Sequence, residues 1–152
     1  MRISAKVDYA VRAMCELAAH PGDAPMKAEQ IAWAQEIPLS YLENILVDLR
    51  RAGLVRSLRG QVGGYRLAKP ASQITIADVI RAVEGPLADV RGVRPESISF
   101  SGSAVALRDV WLATRVGLRR VLERVSIGDV VAGSLPPEVA TLLEDQDALI
   151  PH

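Results

Sequence analysis

The sequence predicts a mainly α-helical protein with one small β-hairpin. Apolar residues recur at helical spacing along most of the chain, whereas a short stretch after residue 53 alternates around three glycines. No apolar run approaches the roughly 20 residues of a membrane-spanning helix. With 152 residues, 49% of them hydrophobic, the chain has the size of one compact domain with an appended helical element.

The first half of the chain begins with three predicted helices. Apolar spacing predicts a helix over 4–19, which ends at the breaker cluster His20-Pro21-Gly22. A shorter helix over 26–33 and a turn at 34–38 lead to a third helix over 39–52, closed by Gly53. Two short helices joined by a tight turn form a helix-turn-helix.

The alternating stretch predicts a hairpin over 54–68, which we call the wing. Its two strands are predicted at 54–59 and 65–68, and the glycines between them permit a turn with positive φ. The residues expected on the inner side are Leu54, Leu58, Tyr65 and Leu67. A fourth helix over 75–84 follows and ends at Gly85-Pro86.

The second half of the chain is predicted to be a linker followed by a long helix. Residues 86–103 show no consistent period, and residues 104–124 are predicted as one helix about 30 Å long. Because this helix is apolar on several faces, we expect it to pack against a second copy of the chain. Two short helices are predicted at 126–132 and 138–144. We therefore divide the chain into 1–85, 86–103 and 104–152.

Positive charge is concentrated in one segment, although the whole chain is formally neutral. Residues 50–69 hold six basic side chains and no acidic one, on the third helix and the wing. A helix that can enter a groove beside a basic hairpin predicts binding to double-stranded DNA. Residues 134–152 hold four acidic side chains and no Lys or Arg, so we expect this tail to lie away from DNA phosphates.

The third helix divides into a core face and a candidate DNA face. Leu42, Ile45, Leu46 and Leu49 share the core face. The candidate DNA contacts on the other side are Ser40, Tyr41, Glu43, Asn44, Arg50 and Arg51. Arg50 and Arg51 suit phosphates better than bases. An alternative for Ser40 and Glu43 is a capping box, which would occupy both side chains with backbone amides.

The wing supplies three further candidates. Arg59 precedes the glycine-rich tip and could reach a narrow minor groove, and Gln61 lies at the same tip. Arg56 lies on the first strand. For any single arginine the alternative is a solvated hairpin face, but six basic residues without a counter-charge argue against that reading for the whole set.

Three segments resemble successive parts of the Rrf-two (Rrf2) family of bacterial transcription regulators, the IscR/NsrR/CymR group. They are MRISAKVDYAVRAMCELA, SYLENILVDLRRAGLVRSLRGQVGGYRLAKP and ITIADVIRAVEGPL, and they cover residues 1 to about 87. The resemblance implies a homodimeric winged helix-turn-helix protein on a palindromic operator, expected to be a repressor, with 104–124 as the dimerisation helix. It also implies that Ser40 and Glu43 read bases and that Arg59 enters the minor groove.

The chain departs from this family in its linker. Many members carry three cysteines there, which bind an iron–sulfur cluster, but residues 86–103 contain neither Cys nor His. We therefore expect no cluster, no cofactor and no metal site. The single cysteine, Cys15, lies among apolar residues and is expected to be a buried helix residue.

The sequence does not identify what would control DNA binding by this protein. A small-molecule effector, a sequestering partner protein, or regulation by abundance alone would each fit. An alternative function is a winged-helix protein-interaction module that controls, or is controlled by, a partner protein. No cluster of carboxylates, no His near the lone Cys and no phosphate-binding loop is present, so we expect no enzyme and no catalytic residues. The N-terminus lacks a signal-peptide pattern, which predicts a cytoplasmic protein without membrane contact.

Overall fold

A computed structural model describes residues 2–145, 148 and 150–151. The helices are α1 Ala5–Ala19, α2 Ala28–Gln35, α3 Leu39–Arg51, α4 Ile76–Glu84, α5 Leu107–Leu122, α6 Ile127–Ala132 and α7 Pro137–Ala140. The strands are β1 Val55–Leu58 and β2 Gly64–Leu67, and they pair antiparallel between α3 and α4. The predicted fold class, mainly helical with one hairpin, is confirmed. Within the described residues, none of the helices combines the length and apolarity needed to cross a bilayer.

Helix α1 lies at the centre of the core and packs against α2, α3, α4 and α6. The hydroxyl of Ser4 accepts a hydrogen bond from the amide of Val7 (3.1 Å) and so caps the start of the helix. Ala10, Ala13 and Met14 are fully buried on its inner face. The small alanines let neighbouring helices approach α1 closely, which brings the helix-turn-helix and α6 onto one core.

The wing is attached to the core by a pairing that the sequence did not predict. The amide of Met26 donates to the carbonyl of Tyr65 (2.9 Å), and the amide of Tyr65 donates to the carbonyl of Met26 (2.7 Å). Through these two hydrogen bonds Met26, in the loop between α1 and α2, pairs with β2 on the side away from β1. The wing therefore has a fixed position relative to the helix-turn-helix.

One prediction for the wing is wrong. Leu58 was expected on the inner side, but it is substantially exposed, whereas Val55 is buried. Side chains alternate between the two faces of a strand. Because Val55 faces inward, Ser57 lies on the same face as Val55, and Arg56 and Leu58 lie on the outer face. Leu54 is buried as predicted, but it precedes the strand and does not set its alternation.

The chain returns to this core after α5. The amide of Ile76 donates to the carbonyl of Val125 (3.0 Å), and the amide of Ile127 donates to the carbonyl of Ile74 (2.8 Å). The two helices that begin there, α4 and α6, have matching capping boxes, Thr75 with Asp78 and Ser126 with Asp129. Ile127 is fully buried in the same core as α1. The division of the chain into three segments stays a prediction.

Helix α5 is shorter than predicted and lies on the surface of the described chain. It begins at Leu107, after a separate 3₁₀ turn at 102–104, and Glu123 is its C-cap. None of its residues is buried, and Val110 and Val116 are 51% and 46% exposed. The predicted last helix is divided into α7 and a 3₁₀ turn at 141–144.

Candidate nucleic-acid interface

Helix α3 is positioned by its apolar face and by the turn that precedes it. Leu42, Ile45, Leu46 and Leu49 are fully buried, as the sequence predicted. In the turn, Glu36 adopts a left-handed conformation (φ 52°), and the amide of Ile37 donates to the carbonyl of Ala32 (2.9 Å). This is a left-handed helix ending of α2, and it redirects the chain sharply into α3. The opposite face of α3 is left exposed.

Ser40 and Glu43 lie on the exposed face of α3, and their side chains are not engaged by the rest of the chain. The N-cap of α3 is Pro38, and Ser40 lies inside the helix, so the capping box considered as an alternative is not formed. Neither side chain makes a hydrogen bond or ion pair with the described residues, and both are exposed. Their hydrogen-bonding groups are therefore available to a ligand in front of this face.

Asn44 and Tyr41 are more constrained. The side-chain nitrogen of Asn44 donates to the backbone carbonyl of Ser40 (3.0 Å), and its Oδ1 has no partner among the described residues. The Tyr41 ring makes an edge-to-face contact with Tyr9 at 5.6 Å between centroids. Tyr41 is thus held against α1 while part of its ring stays exposed.

The C-terminal end of α3 holds two arginines in different settings. Arg50 donates to the hydroxyl of Ser57 on β1 (3.4 Å) and lies between helix and wing. Arg51 lies 3.8 Å from Asp48, an exposed and therefore weak pair. Asp48 is held more closely by Lys6 of α1 (2.8 Å), which also donates to the carbonyl of Val83 on α4 (2.8 Å). Lys6 thus joins three helices behind the candidate interface.

The wing brings like charges together. In the strand register Arg56 lies directly opposite Arg66, and neither side chain makes an ion pair or hydrogen bond within the described part of the chain. Like charges directly opposite on two strands are destabilising. Such a pair without a nearby carboxylate is a favourable place for a phosphate, which would neutralise both guanidinium groups.

The tip of the wing exposes Arg59 and Gln61 together with an apolar side chain. The turn is closed by a hydrogen bond from the amide of Gly63 to the carbonyl of Gly60 (3.0 Å). Val62, which was not among the predicted contact residues, is 86% exposed at this tip. An apolar residue between glycines in a polar turn has no core to fill. It could instead contact sugars or thymine methyl groups in a groove.

An open groove of about 430 Å³ lies between α3 and the wing. Its lining includes the predicted residues Glu43, Arg50 and Arg59, and it adds Lys27 at the start of α2. Lys27 was missed because it lies outside the basic segment 50–69. The available signal was its place at the start of the first helix of the helix-turn-helix. All nine residues predicted for DNA contact are exposed around α3 and the wing: Ser40, Tyr41, Glu43, Asn44, Arg50, Arg51, Arg56, Arg59 and Gln61.

The side chains that could ligate a metal do not converge. Among the described residues, no three side chains of His, Cys, Asp or Glu lie close enough together to hold a metal ion. Cys15 is partly buried, and burial together with the charge of Glu16 raises the pKa of its thiol. A raised pKa disfavours the thiolate, which is the form that binds metals. In the linker, Asp89 accepts a hydrogen bond from the amide of Gly92 (3.2 Å), and Glu96 pairs with Arg115.

Comparison with known sequences gives matches over nearly the whole chain. Residues 3–133 match the model of the family Rrf2, described as "Iron-dependent Transcriptional regulator". The chain is 48% identical over 148 residues to the HTH-type transcriptional regulator Rv1287 of Mycobacterium tuberculosis, covering 97% of this chain and 92% of the relative. It is 35% identical over 132 residues to the HTH-type transcriptional regulator CymR of Bacillus subtilis, covering 87% and 91%.

Solved structures show the same architecture. The structure of CymR, the global cysteine regulator of B. subtilis, matches with a TM-score of 0.74 and 33% identity, covering 88% of this chain and 98% of that one. The structure of T. potens IscR matches with a TM-score of 0.69 and 31% identity, covering 100% and 93%. The similarity therefore includes α5 and the segments after it, as well as the helix-turn-helix and wing.

Proposed function

This chain belongs to the Rrf2 family of transcriptional regulators, and from that premise we propose how it recognises DNA. The protein is a regulator of transcription and not an enzyme. We propose that α3 enters the major groove of an operator while the wing contacts the adjacent minor groove and backbone. The observation that carries this proposal is the wing itself. It holds Arg56 opposite Arg66 and exposes Arg59, and none of the three has a counter-charge in the described chain.

The proposal assigns base reading to α3. Ser40 and Glu43 are exposed near its N-terminal end, where a recognition helix contacts base edges. A carboxylate such as Glu43 accepts hydrogen bonds from the amino group of cytosine, and the free Oδ1 of Asn44 can accept from amino groups as well. Tyr41 lies beside them, where its hydroxyl would contact the backbone.

The proposal assigns backbone and minor-groove contacts to the arginines. Arg50 and Arg51 lie at the far end of α3, where phosphates are nearer than bases. Arg56 and Arg66 would share a phosphate, while Arg59, with Gln61 beside it, would reach the minor groove. Lys27 at the start of α2 would add a phosphate contact across the groove between helix and wing.

We propose further that the protein is a homodimer through α5. Val110 and Val116 are exposed along this helix, and Val105 is exposed just before its start. None of the residues of α5 is buried in the described chain. A helix with apolar residues on several faces is stable only when another surface covers it. A two-fold dimer would present two wings and two copies of α3, so the operator should be a palindrome with half-sites about one helical turn apart or a multiple of it.

The residues of this chain do not fit an iron–sulfur cluster of the thiolate type. Linker residues 86–103 contain no Cys or His, and Cys15, the single cysteine of the chain, lies in α1. A cluster held by thiolates needs several cysteines at one place. We propose that this member of a family described as iron-dependent acts without such a cluster, as a cytoplasmic repressor.

Binding to the DNA upstream of its own gene is the direct test. Fluorescence anisotropy with a labelled duplex should show a saturable complex whose affinity falls with added salt, because bound arginines release counterions. Arg59→Ala should weaken binding by about 5- to 30-fold, equivalent to 1–2 kcal/mol, and should reduce the salt slope by about one unit. The matched control is Arg124→Ala, which removes an equal charge from an exposed position beyond α5. Equal affinities for these two variants would remove the wing from the interface.

One observation favours control by a partner protein as a second candidate function. Trp33 on α2 is 87% exposed, and large aromatic side chains are enriched where proteins bind each other. In that case the purified protein would bind one stoichiometric partner and would bind the duplex weakly, with no difference between Arg59→Ala and Arg124→Ala.

A further inference from the structure

A cavity of about 240 Å³ lies between α4, the linker and α5, away from the groove of α3 and the wing. Four arginines line it: Arg81 from α4, Arg94 from the linker, and Arg115 and Arg119 from α5. Only two acidic side chains, Asp89 and Glu96, belong to the same lining. The rest of the wall is formed by proline, leucine and alanine residues of the linker. The lining therefore holds more basic than acidic side chains, and three separate segments of the chain form it.

Carboxylates hold three of the four arginines, and Asp78 of α4 also lies 3.8 Å from Arg81. Glu96 pairs with Arg115. Glu123, at the end of α5, pairs with both Arg81 and Arg119, the latter at 3.0 Å. A hydrogen bond from its own backbone amide, together with Arg115, lowers the pKa of Glu96, and hydrogen bonds from Arg81 and Arg119 lower the pKa of Glu123. These carboxylates occupy the guanidinium groups in the way that carboxylates of a ligand would.

The charge of Arg94 helps to lower the pKa of Glu96, but Arg94 makes no direct pair of this kind. It is exposed to solvent and makes neither a hydrogen bond nor an ion pair with the described residues. Ala88, which lines the cavity, and Arg91 nearby both adopt left-handed backbone conformations, with φ of 52° and 55°. Non-glycine residues in this conformation cost energy, and they occur more often at binding and switch sites than elsewhere. The linker is thus folded at a cost into a wall that presents an unpaired guanidinium.

We propose that this cavity binds a small organic dianion, with carboxylate or phosphate groups, as the effector of the regulator. The volume of about 240 Å³ suits a compact dicarboxylate or a small phosphorylated compound. Arg94 and Arg115 would hold one anionic group in bidentate fashion, and Arg81 and Arg119 would hold the other. Calling the ligand an effector rests on the proposed function in DNA binding, whereas the binding site itself does not.

Ligand binding would act on DNA affinity through the position of α5. The dianion competes with Glu96 and Glu123 for the arginines, and these pairs are among the contacts that join the linker and α4 to α5 around the cavity. If α5 carries the dimer contact, a change in its angle to α4 changes the spacing between the two wings. Coupling between sites is commonly 5- to 150-fold in affinity.

The experiment measures anion binding directly and without DNA. Succinate and inorganic phosphate are titrated into the full-length protein by calorimetry in chloride buffer of constant ionic strength, which separates the dicarboxylate from the phosphate. At least one probe should bind saturably with one site per chain. Arg94→Gln should weaken that probe at least tenfold, while Arg120→Gln, on α5 but outside the cavity lining, should stay within twofold of the unmodified protein. Glu96→Gln, which removes a competing carboxylate, should strengthen binding.

A fluorescence readout gives an independent check. Trp111 lies one helical turn before Arg115 on α5, and the chain has two tryptophans. In a Trp33→Phe background, Trp111 is the sole tryptophan, and its emission should change with the same midpoint as the calorimetric titration. Saturation by neither probe, or equal affinities of Arg94→Gln and Arg120→Gln, would overturn the proposal.

Operator binding is measured separately on the same samples. A protein that binds its operator but neither anion refutes only the dianion site. A protein that binds an anion but no operator refutes only the proposed DNA function. Where both bind, the dianion should shift operator affinity at least fivefold, and this shift should be absent in Arg94→Gln; an unchanged operator affinity would refute the effector role.

Discussion

Replacing Gly64 by alanine tests how the wing is held in place. Gly64 has a φ of +151°, and a Cβ atom added there would lie 2.3 Å from the carbonyl oxygen of Met26. That oxygen accepts the 2.7 Å hydrogen bond from Tyr65, one of the two that fasten the wing to the loop before α2. Because the obstructing atom is backbone, no side-chain rotation relieves the contact. The alanine must push the wing away from Met26.

The cost can be worked from these contacts. Two backbone hydrogen bonds at about 1 kcal/mol each are lost, and an unfavourable φ adds about 1 kcal/mol, so Gly64→Ala should cost about 3 kcal/mol. Gly60 is the matched control, because its φ is +106° and nothing lies within 4 Å of an added Cβ. Gly60→Ala should therefore cost only the strain, about 1 kcal/mol.

Urea unfolding of both variants at one fixed protein concentration measures these costs, since a dimer makes apparent stability depend on concentration. The corresponding losses in melting temperature are about 6–12 °C for Gly64→Ala and about 2–4 °C for Gly60→Ala. Operator affinity should fall further in Gly64→Ala than in Gly60→Ala, because the displaced wing takes Arg59 with it. If both variants lose the same stability, the Met26–Tyr65 pairing does not hold the wing.

Three further outcomes are expected. Ile127→Ala should lower the free energy of unfolding by about 2–5 kcal/mol in thermal melts, since the side chain is fully buried; a loss below 1 kcal/mol would place α6 outside the core. If the proposed dimer forms through α5, Val116→Glu should convert it to a monomer in light scattering, whereas Val93→Glu, equally exposed in the linker, should not. Hydrogen bonds from the Ser126 amide and hydroxyl lower the pKa of Asp129, so its stabilising effect is present at neutral pH and lost as pH falls through the folded-state pKa. Asp129→Asn should therefore flatten the acid side of the stability profile; an unchanged slope would contradict this.

The helices were predictable because their burial is periodic within a short window. Leu42, Ile45, Leu46 and Leu49 recur on one face of α3, and that local pattern is enough to orient the helix. The capping box was a wrong alternative for a local reason as well. Ser40 and Glu43 have the required spacing, but the N-cap is Pro38, two residues earlier, so Ser40 already lies inside the helix.

The contacts that position the site were not predictable, because they join distant residues. The Met26–Tyr65 pairing connects a loop to a strand 39 residues further along the chain, and backbone hydrogen bonds leave no mark on residue type. The inward face of β1 was misjudged for a related reason. Leu54 and Val55 are adjacent and both apolar, and only the packed core decides which of them begins the alternation.

The two attachments of α5 differ in strength, and this difference explains why the cavity could control it. At its C-terminal end the chain is fastened by backbone hydrogen bonds of 3.0 and 2.8 Å next to buried Ile127, which solvent and salt reach poorly. Along its length α5 is joined to α4 and the linker by the partly exposed and individually weak pairs of Glu96 and Glu123, by a 3.4 Å hydrogen bond from Arg108 to the carbonyl of Glu96, and by side chains such as Trp111 that are only half-buried. A helix fixed firmly at one end and loosely along its side can pivot at the firm end. An anion that exchanges for those glutamates would therefore change the angle of α5 while leaving α3 and the wing folded.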